Sequence, residues 1–264
     1  MAKGSRGGKR TAGGKAVSST VMADLQKDIK DVEVVKPVET ISSDYNSFMT
    51  MSDDDKADVI SNMTSQDVPI HLSNSDFQRF IYNIGLNDKP QVVDDSTFDS
   101  LPGNAFYRTV NAVSKYNSPN GLAYSATDII KQIQYGSITR CSDNGGSVYG
   151  RGLYFDNSRR GSFAYGNKRY DIKATAQIAM KFNSNAKMVK YDKIERATNA
   201  EIRSGSKLGK ALSKCDHASA VSIYAMTKGY NVIQSHINGY HNVLNRNAIT
   251  MTKTPIQWGR PKNP

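Results

Sequence analysis

The amino-acid sequence predicts an α+β fold, packed β-sheets with helices, preceded by a disordered basic arm and a small helical segment. Three observations carry this. From about residue 104 the chain turns to runs rich in strand formers, such as "AFYRTVNAV" and "ATAQIAMKF". Helical patterns with recognisable ends interrupt those runs early. Three more strand candidates, "YNVIQS", "YHNVLN" and "AITMTKT", crowd together near the C-terminus as an antiparallel cluster.

Taken in order, residues 1–19 ("MAKGSRGGKRTAGGKAVSS") are glycine-rich and cationic with no apolar periodicity, which predicts a disordered arm. Its "GGKA" lacks the Ser or Thr and the preceding strand that a phosphate-binding loop needs. Residues 20–75 form an acidic linker and helical segment. Within it "SDDDKADVISNM" offers Ser52 as N-cap and acids in the first turn, where they suit the helix dipole. "SNSDFQRFIYNIGL" follows, with Phe77, Phe80, Ile81 and Ile84 at helical spacing, a stripe that belongs in a core. Residues 76–253 form the main domain, and 254–264 a basic tail. In the main domain "SATDIIKQIQYG" has Ser125 as N-cap and Gly136 as its end. "AKMVKY" reads as a strand, "DKIERATNAEIRSGSKLGKALSK" as a helix with a glycine break, and "ASAVSIYAMTKG" as a helix ending at Gly229.

The net charge of +11 is unevenly spread. Residues 1–15 carry five cations and no acid, residues 16–100 sixteen acids against six bases, and residues 101–264 twenty-four bases against eight acids. The acidic and basic halves attract each other, within a chain or between copies. The arm, residues 1–15, suits nucleic acid or an acidic protein surface; a solubilising tail is the plainer alternative. No apolar run approaches the ~18–20 residues of a membrane span, so no membrane partner is expected. Cys141 and Cys215 make no disulfide framework and read as packing residues. His71, His217, His236 and His241 form no metal signature, so no metal is expected, and "DDD" at 53–55 lacks calcium-loop spacing.

The segment "GSVYGRGLYFDNSRRGSFAYG", residues 146–166, concentrates glycines, ring faces and arginines. Glycine lets a backbone approach a ligand, aromatic rings stack on flat groups, and arginine forks suit phosphate. That combination points to a phosphate-bearing ligand with a flat ring.

Within this segment "GRGLYFDNSRRGSFAY" resembles the Gly-x-Gly-Ile-Tyr-Phe pattern, then Ser and Tyr three apart, of ADP-ribosyltransferases, enzymes that cleave NAD at the nicotinamide–ribose bond. Two other landmarks fall in that family's order. "FYRTV" resembles its opening strand, and "GYNVIQSHINGYHNVLNRNAITM" its closing strand pair. The resemblance covers roughly residues 76–253 and implies an ADP-ribosyltransferase-like domain around an NAD cleft. It implies that Arg108 holds the phosphate or ribose side of NAD and that the Thr109 backbone meets the carboxamide. By the same match Gly150 and Gly152 admit the ligand, Tyr165 stacks on nicotinamide, Ser162 bonds its carboxamide oxygen, and Tyr154 lines the opposite wall. Arg151, Arg159 and Arg160 meet phosphates or solvent.

One departure matters. The family's catalytic glutamate begins a Glu-Tyr-x-Val strand, and aligned on the valine Tyr240 takes its position. No Asp or Glu follows Asp216. Strand alternation puts Tyr240 and Asn242 on one face and His241 on the other. The resemblance extends to ADP-ribosyltransferase-like proteins of bacteriophages, minor head or virion proteins often encoded beside portal genes. Two functions are therefore expected: a mono-ADP-ribosyltransferase acting on a host protein or nucleic acid, with Arg108 and Tyr240 at the catalytic positions, or a non-enzymatic virion component assembled with head or portal proteins. The protein would reside in the virion or the host cytoplasm. A nucleic-acid-binding module resting on charge alone is a weaker third.

Overall fold

The computed structural model describes residues 45–63, 75–84, 88–113, 122–136, 149–166, 175–235 and 239–257, without the side chains of 82–83 and 163–166. The expected basic arm and linker to residue 44, residues 137–148 and residues 258–264 lie outside them. So do Cys141, His71 and His236.

Local chemistry sets the helices. They are α1 (Tyr45–Thr50), α2 (Asp53–Met63), α3 (Asp76–Asn83), α4 (Asp95–Ser100), α5 (Ala126–Tyr135), α6 (Arg159–Gly166), α7 (Tyr191–Ser204), α8 (Lys207–Leu212) and α9 (His217–Thr227). Ser52 caps α2, its hydroxyl accepting from the Asp55 amide at 3.1 Å. Ser125 closes a reciprocal capping box with Asp128 at the start of α5. Asp94 accepts from the Thr97 amide at 2.8 Å and starts α4, a helix the sequence reading did not pick out. Gly205 ends α7 at φ +72°, the left-handed value that makes glycine the natural stop there.

The strands are β1 (Gln91–Val93), β2 (Phe106–Asn111), β3 (Leu153–Asp156), β4 (Thr175–Phe182), β5 (Met188–Lys190), β6 (Val232–Gln234), β7 (Tyr240–Val243), β8 (Ile249–Thr252) and β9 (Ile256–Gln257). They hydrogen-bond along one path, β1-β8-β4-β2-β3-β7-β6-β5, with β9 beside β4. β1 runs parallel to β8 and β5 parallel to β6; the other pairs are antiparallel. The α+β class is thus as the sequence predicts, but the strands join one mixed sheet rather than separate packed sheets, and β8 pairs with β4 and β1 instead of clustering with β6 and β7, because register across the sheet is set by global packing. Among the described residues no helix is long and apolar enough to cross a membrane.

Two apolar clusters hold the structure. One gathers the helices: Phe48 of α1, Ile60 and Met63 of α2, Phe77 and Phe80 of α3, Leu212 of α8, and Val221, Ile223 and Met226 of α9. The acidic segment therefore builds core with the helices of the main domain. Its charges also meet the basic half within the chain, through Lys207–Asp58 at 2.7 Å and Lys228–Asp53 at 3.0 Å. The second cluster lies between α5 and the sheet: Ile129, Ile130 and Ile133 pack with Val110, Leu153, Phe155, Ile178 and Val243. Arg246 is fully buried beside it. Its guanidinium donates to the carbonyls of Ile133 at 2.6 Å and Gly136 at 2.8 Å, satisfying the orphan end of α5.

Candidate functional site

The centre of the sheet has two unlike faces, and its register assigns residues to them. β2 pairs with β4 so that Tyr107, Thr109 and Asn111 oppose Ala179, Gln177 and Thr175. β3 pairs with β7 so that Tyr154 opposes Asn242 and Asp156 opposes Tyr240, while Tyr107 opposes Asp156 from the other side. Directly opposed residues share a face, and neighbours along a strand alternate. Thr109, Gln177, Tyr154, Asp156, Tyr240 and Asn242 therefore share one polar face. Phe106, Arg108, Val110, Leu153, Phe155, Ile178, His241 and Val243 share the other, most of them in the cluster under α5.

α6 lies on the polar face and is held there by hydrogen bonds. The hydroxyls of Thr109 and Ser162 meet at 2.9 Å. Gln177, fully buried in β4, donates to Thr109 Oγ1 at 3.1 Å and to the Arg159 carbonyl at 3.0 Å. Arg159 Nε donates back to Gln177 Oε1 at 3.2 Å. Sequence reasoning missed Gln177, although a glutamine inside the apolar run "ATAQIAMKF" marks a buried polar contact. Tyr165 falls on α6, one turn beyond Ser162.

The glycine segment enters this face from the edge. Gly150 and Gly152 take positive φ of 88° and 152°. What crowds them is protein. A Cβ on Gly150 would stand 2.6 Å from Ser222 Oγ, and one on Gly152 would fall 2.1 Å from Asn242 Oδ1. The need for glycine at both positions is met by chain packing, without a ligand. Asn242 donates to the carbonyls of Tyr149 at 3.0 Å and Arg151 at 3.1 Å, tying β7 to the segment. The Tyr154 hydroxyl donates to the Gly150 carbonyl at 2.5 Å and accepts from the Tyr149 amide at 3.0 Å, so it braces the same turn.

Arg108 goes elsewhere than Thr109. It sits on the α5 face of β2, opposite Ile178, and donates through Nη1 to the Tyr154 carbonyl at 3.0 Å. The structure thus joins Thr109, Ser162, Tyr154 and Tyr240 on one face and sets the Arg108 side chain on the other. Of the arginines in the segment, Arg151 pairs with Asp216 at 3.5 Å, Arg159 is engaged by Gln177, and Arg160 is exposed on α6.

His241 is buried with its ring 4.5 Å from Phe106 and 5.2 Å from Phe182. Burial lowers its pKa from the ordinary 6.5, against smaller opposing effects of the Gly239 carbonyl and the Asp156 charge. Burial also pushes the Cys215 thiol up to about 12, which leaves it a packing residue. Among the described residues no group of three or more His, Cys, Asp or Glu is placed to hold a metal ion.

Compared with known proteins, the chain matches no family model, no curated protein and no solved structure.

Proposed function

We propose that the polar sheet face beneath α6 binds the nicotinamide end of NAD, and that the protein is an ADP-ribosyltransferase-like phage protein that transfers ADP-ribose to a host protein or nucleic acid. One observation carries the reading. Residues that the family resemblance draws from separate stretches of chain (Thr109, Tyr154, Ser162 and Tyr240) share one face, with Thr109 and Ser162 in hydroxyl contact at 2.9 Å. A carboxamide accepts and donates hydrogen bonds at once, and paired hydroxyls can supply both. Tyr165, three residues after Ser162, supplies the stacking ring in this reading, and Arg160 is the exposed cation for phosphate.

The test is a calorimetric titration of NAD into the full chain, repeated with Ser162→Ala and Tyr165→Ala. The wild type is expected to release heat at millimolar NAD. Tyr165→Ala should weaken binding by about 1–3 kcal/mol, the usual worth of one stacking partner. No heat and no thermal shift with the wild type overturns the reading.

A second reading, a non-enzymatic virion component that keeps the fold as a scaffold beside head or portal proteins, is favoured by a different observation. β7 presents Tyr240 and Asn242 and no acid, and the Asn242 amide is spent on the Tyr149 and Arg151 carbonyls. A null titration together with co-purification on assembled heads would select it.

A further inference from the structure

The polar face holds a carboxylate that the sequence resemblance assigns to nothing. Asp156 ends β3, is 5% exposed, and lies directly across from Tyr240. Opposed residues on antiparallel strands hold their Cβ atoms about 4.5–5.5 Å apart. A side chain on β3 therefore stands beside the position where β7 lacks its acid. Tyr107 flanks Asp156 on the other side, giving a transverse row of tyrosine, carboxylate and tyrosine.

The surroundings leave room for this carboxylate in an unusual way. Gly161 of α6 sits over it, where a Cβ would stand 2.7 Å from Oδ2 and 2.8 Å from Oδ1. Oδ1 accepts from the Ser158 amide at 2.7 Å, which fixes the orientation of the group. Among the described residues that is the one hydrogen bond drawn to the side chain of Asp156. A fixed, desolvated negative charge stabilises developing positive charge far better than a solvated one does.

Resting on the NAD reading above, we infer that Asp156 is the catalytic carboxylate of this site, replacing from β3 the acid that β7 does not carry. In the reaction the C1′–N bond breaks and its electron pair goes to the nicotinamide nitrogen, which leaves neutral. Positive charge passes from the pyridinium ring to C1′ and the ring oxygen of the ribose, facing Asp156. With water as acceptor, its oxygen bonds to C1′, and its proton is lost to solvent. NAD⁺ and water thus give ADP-ribose, nicotinamide and one proton. The Tyr240 hydroxyl serves the ribose hydroxyls.

The experiment measures release of labelled nicotinamide from NAD at saturation, beside calorimetric binding of NAD, for the full chain and its variants. The wild type should release nicotinamide. Asp156→Asn keeps an acceptor for the Ser158 amide, so it should hold its fold, yet release should fall ~10²–10³-fold, the usual loss of a preorganised electrostatic partner. Asp156→Asn combined with Tyr240→Glu, which moves the carboxylate one strand over, should recover at least tenfold of that. A bound NAD that yields no nicotinamide, or Asp156→Asn acting at the wild-type rate, overturns the inference alone. Absence of NAD binding overturns it together with the NAD reading. If Asp156→Asn does not fold, Asp156→Ser takes its place, and nicotinamide release at the wild-type rate in that variant overturns the inference.

Discussion

The two faces of the central sheet are built by different means. On one, α5 lays Ile129, Ile130 and Ile133 against Val110, Leu153, Phe155 and Ile178, and its last turn is closed by the buried Arg246. On the other, α6 ("RRGSFAYG") is moored through Ser162, Thr109, Gln177 and Arg159. The first arrangement draws stability from area removed from water, roughly 25 cal/mol per Å². The second gains little net energy per hydrogen bond, about 1 kcal/mol, but fixes polar groups in definite directions. Apolar packing and oriented polar groups are thus separated across a single layer of strands.

The largest expected effect tests that separation directly. Phe155→Ala should destabilise by about 3–5 kcal/mol, because a buried ring leaves a cavity between sheet and α5. Ser162→Ala, on the next element but on the polar face, should cost about 1 kcal/mol. Urea midpoints at constant slope would measure both. A larger loss for Ser162→Ala would show that α6 is structural and would break the contrast.

Gly152 packs against β7 just before β3 begins, and Gly152→Ala should cost about 2–4 kcal/mol. Alanine at φ +152° is strained, and its methyl would meet Asn242 and the Val243 carbonyl. Near-wild-type stability in this variant would mean the segment shifts freely and that Asn242 does not clamp it.

The smallest effect is in pH. His241 lies on the apolar face, where burial lowers its pKa below 6.5. Its contribution to stability is fully present above 6.5. As pH falls through that value the unfolded chain takes the proton first, and stability is lost until the lowered folded pKa is reached. His241→Phe should remove this part of the slope, read from denaturation midpoints between pH 8 and pH 5. An unchanged slope would place the titration elsewhere.

Much of the architecture was legible in local chemistry. Ser52, Ser125 and Gly205 mark helix ends because caps are satisfied within a few residues. The runs at β2, β4, β6, β7 and β8 are visible because β-branched and aromatic residues repeat with a period that one strand alone imposes. α6 escaped notice because it has no apolar stripe; the Ser158 hydroxyl caps its start, accepting from the Gly161 amide at 2.8 Å, while Gln177 and Thr109, distant in sequence, moor it to the sheet. The alternation that separates Tyr240 and Asn242 from His241 was also readable, and His241 does lie among Phe106 and Phe182.

Tertiary structure decided the rest. That Arg108 and Thr109 diverge follows from alternation, but which face receives Arg108 depends on its pairing with Ile178, and register across strands is set by global packing. The glycines at 150 and 152 read as room for a ligand in the sequence; in the fold they make room for Ser222 and Asn242, residues brought from far along the chain. Asp156 was one acid after "LYF" in the sequence, and only the pairing of β3 with β7 sets it beside Tyr240. Periodicity and caps are local and travel with the sequence; the partner a side chain meets is chosen by strand order and register, which no short segment contains.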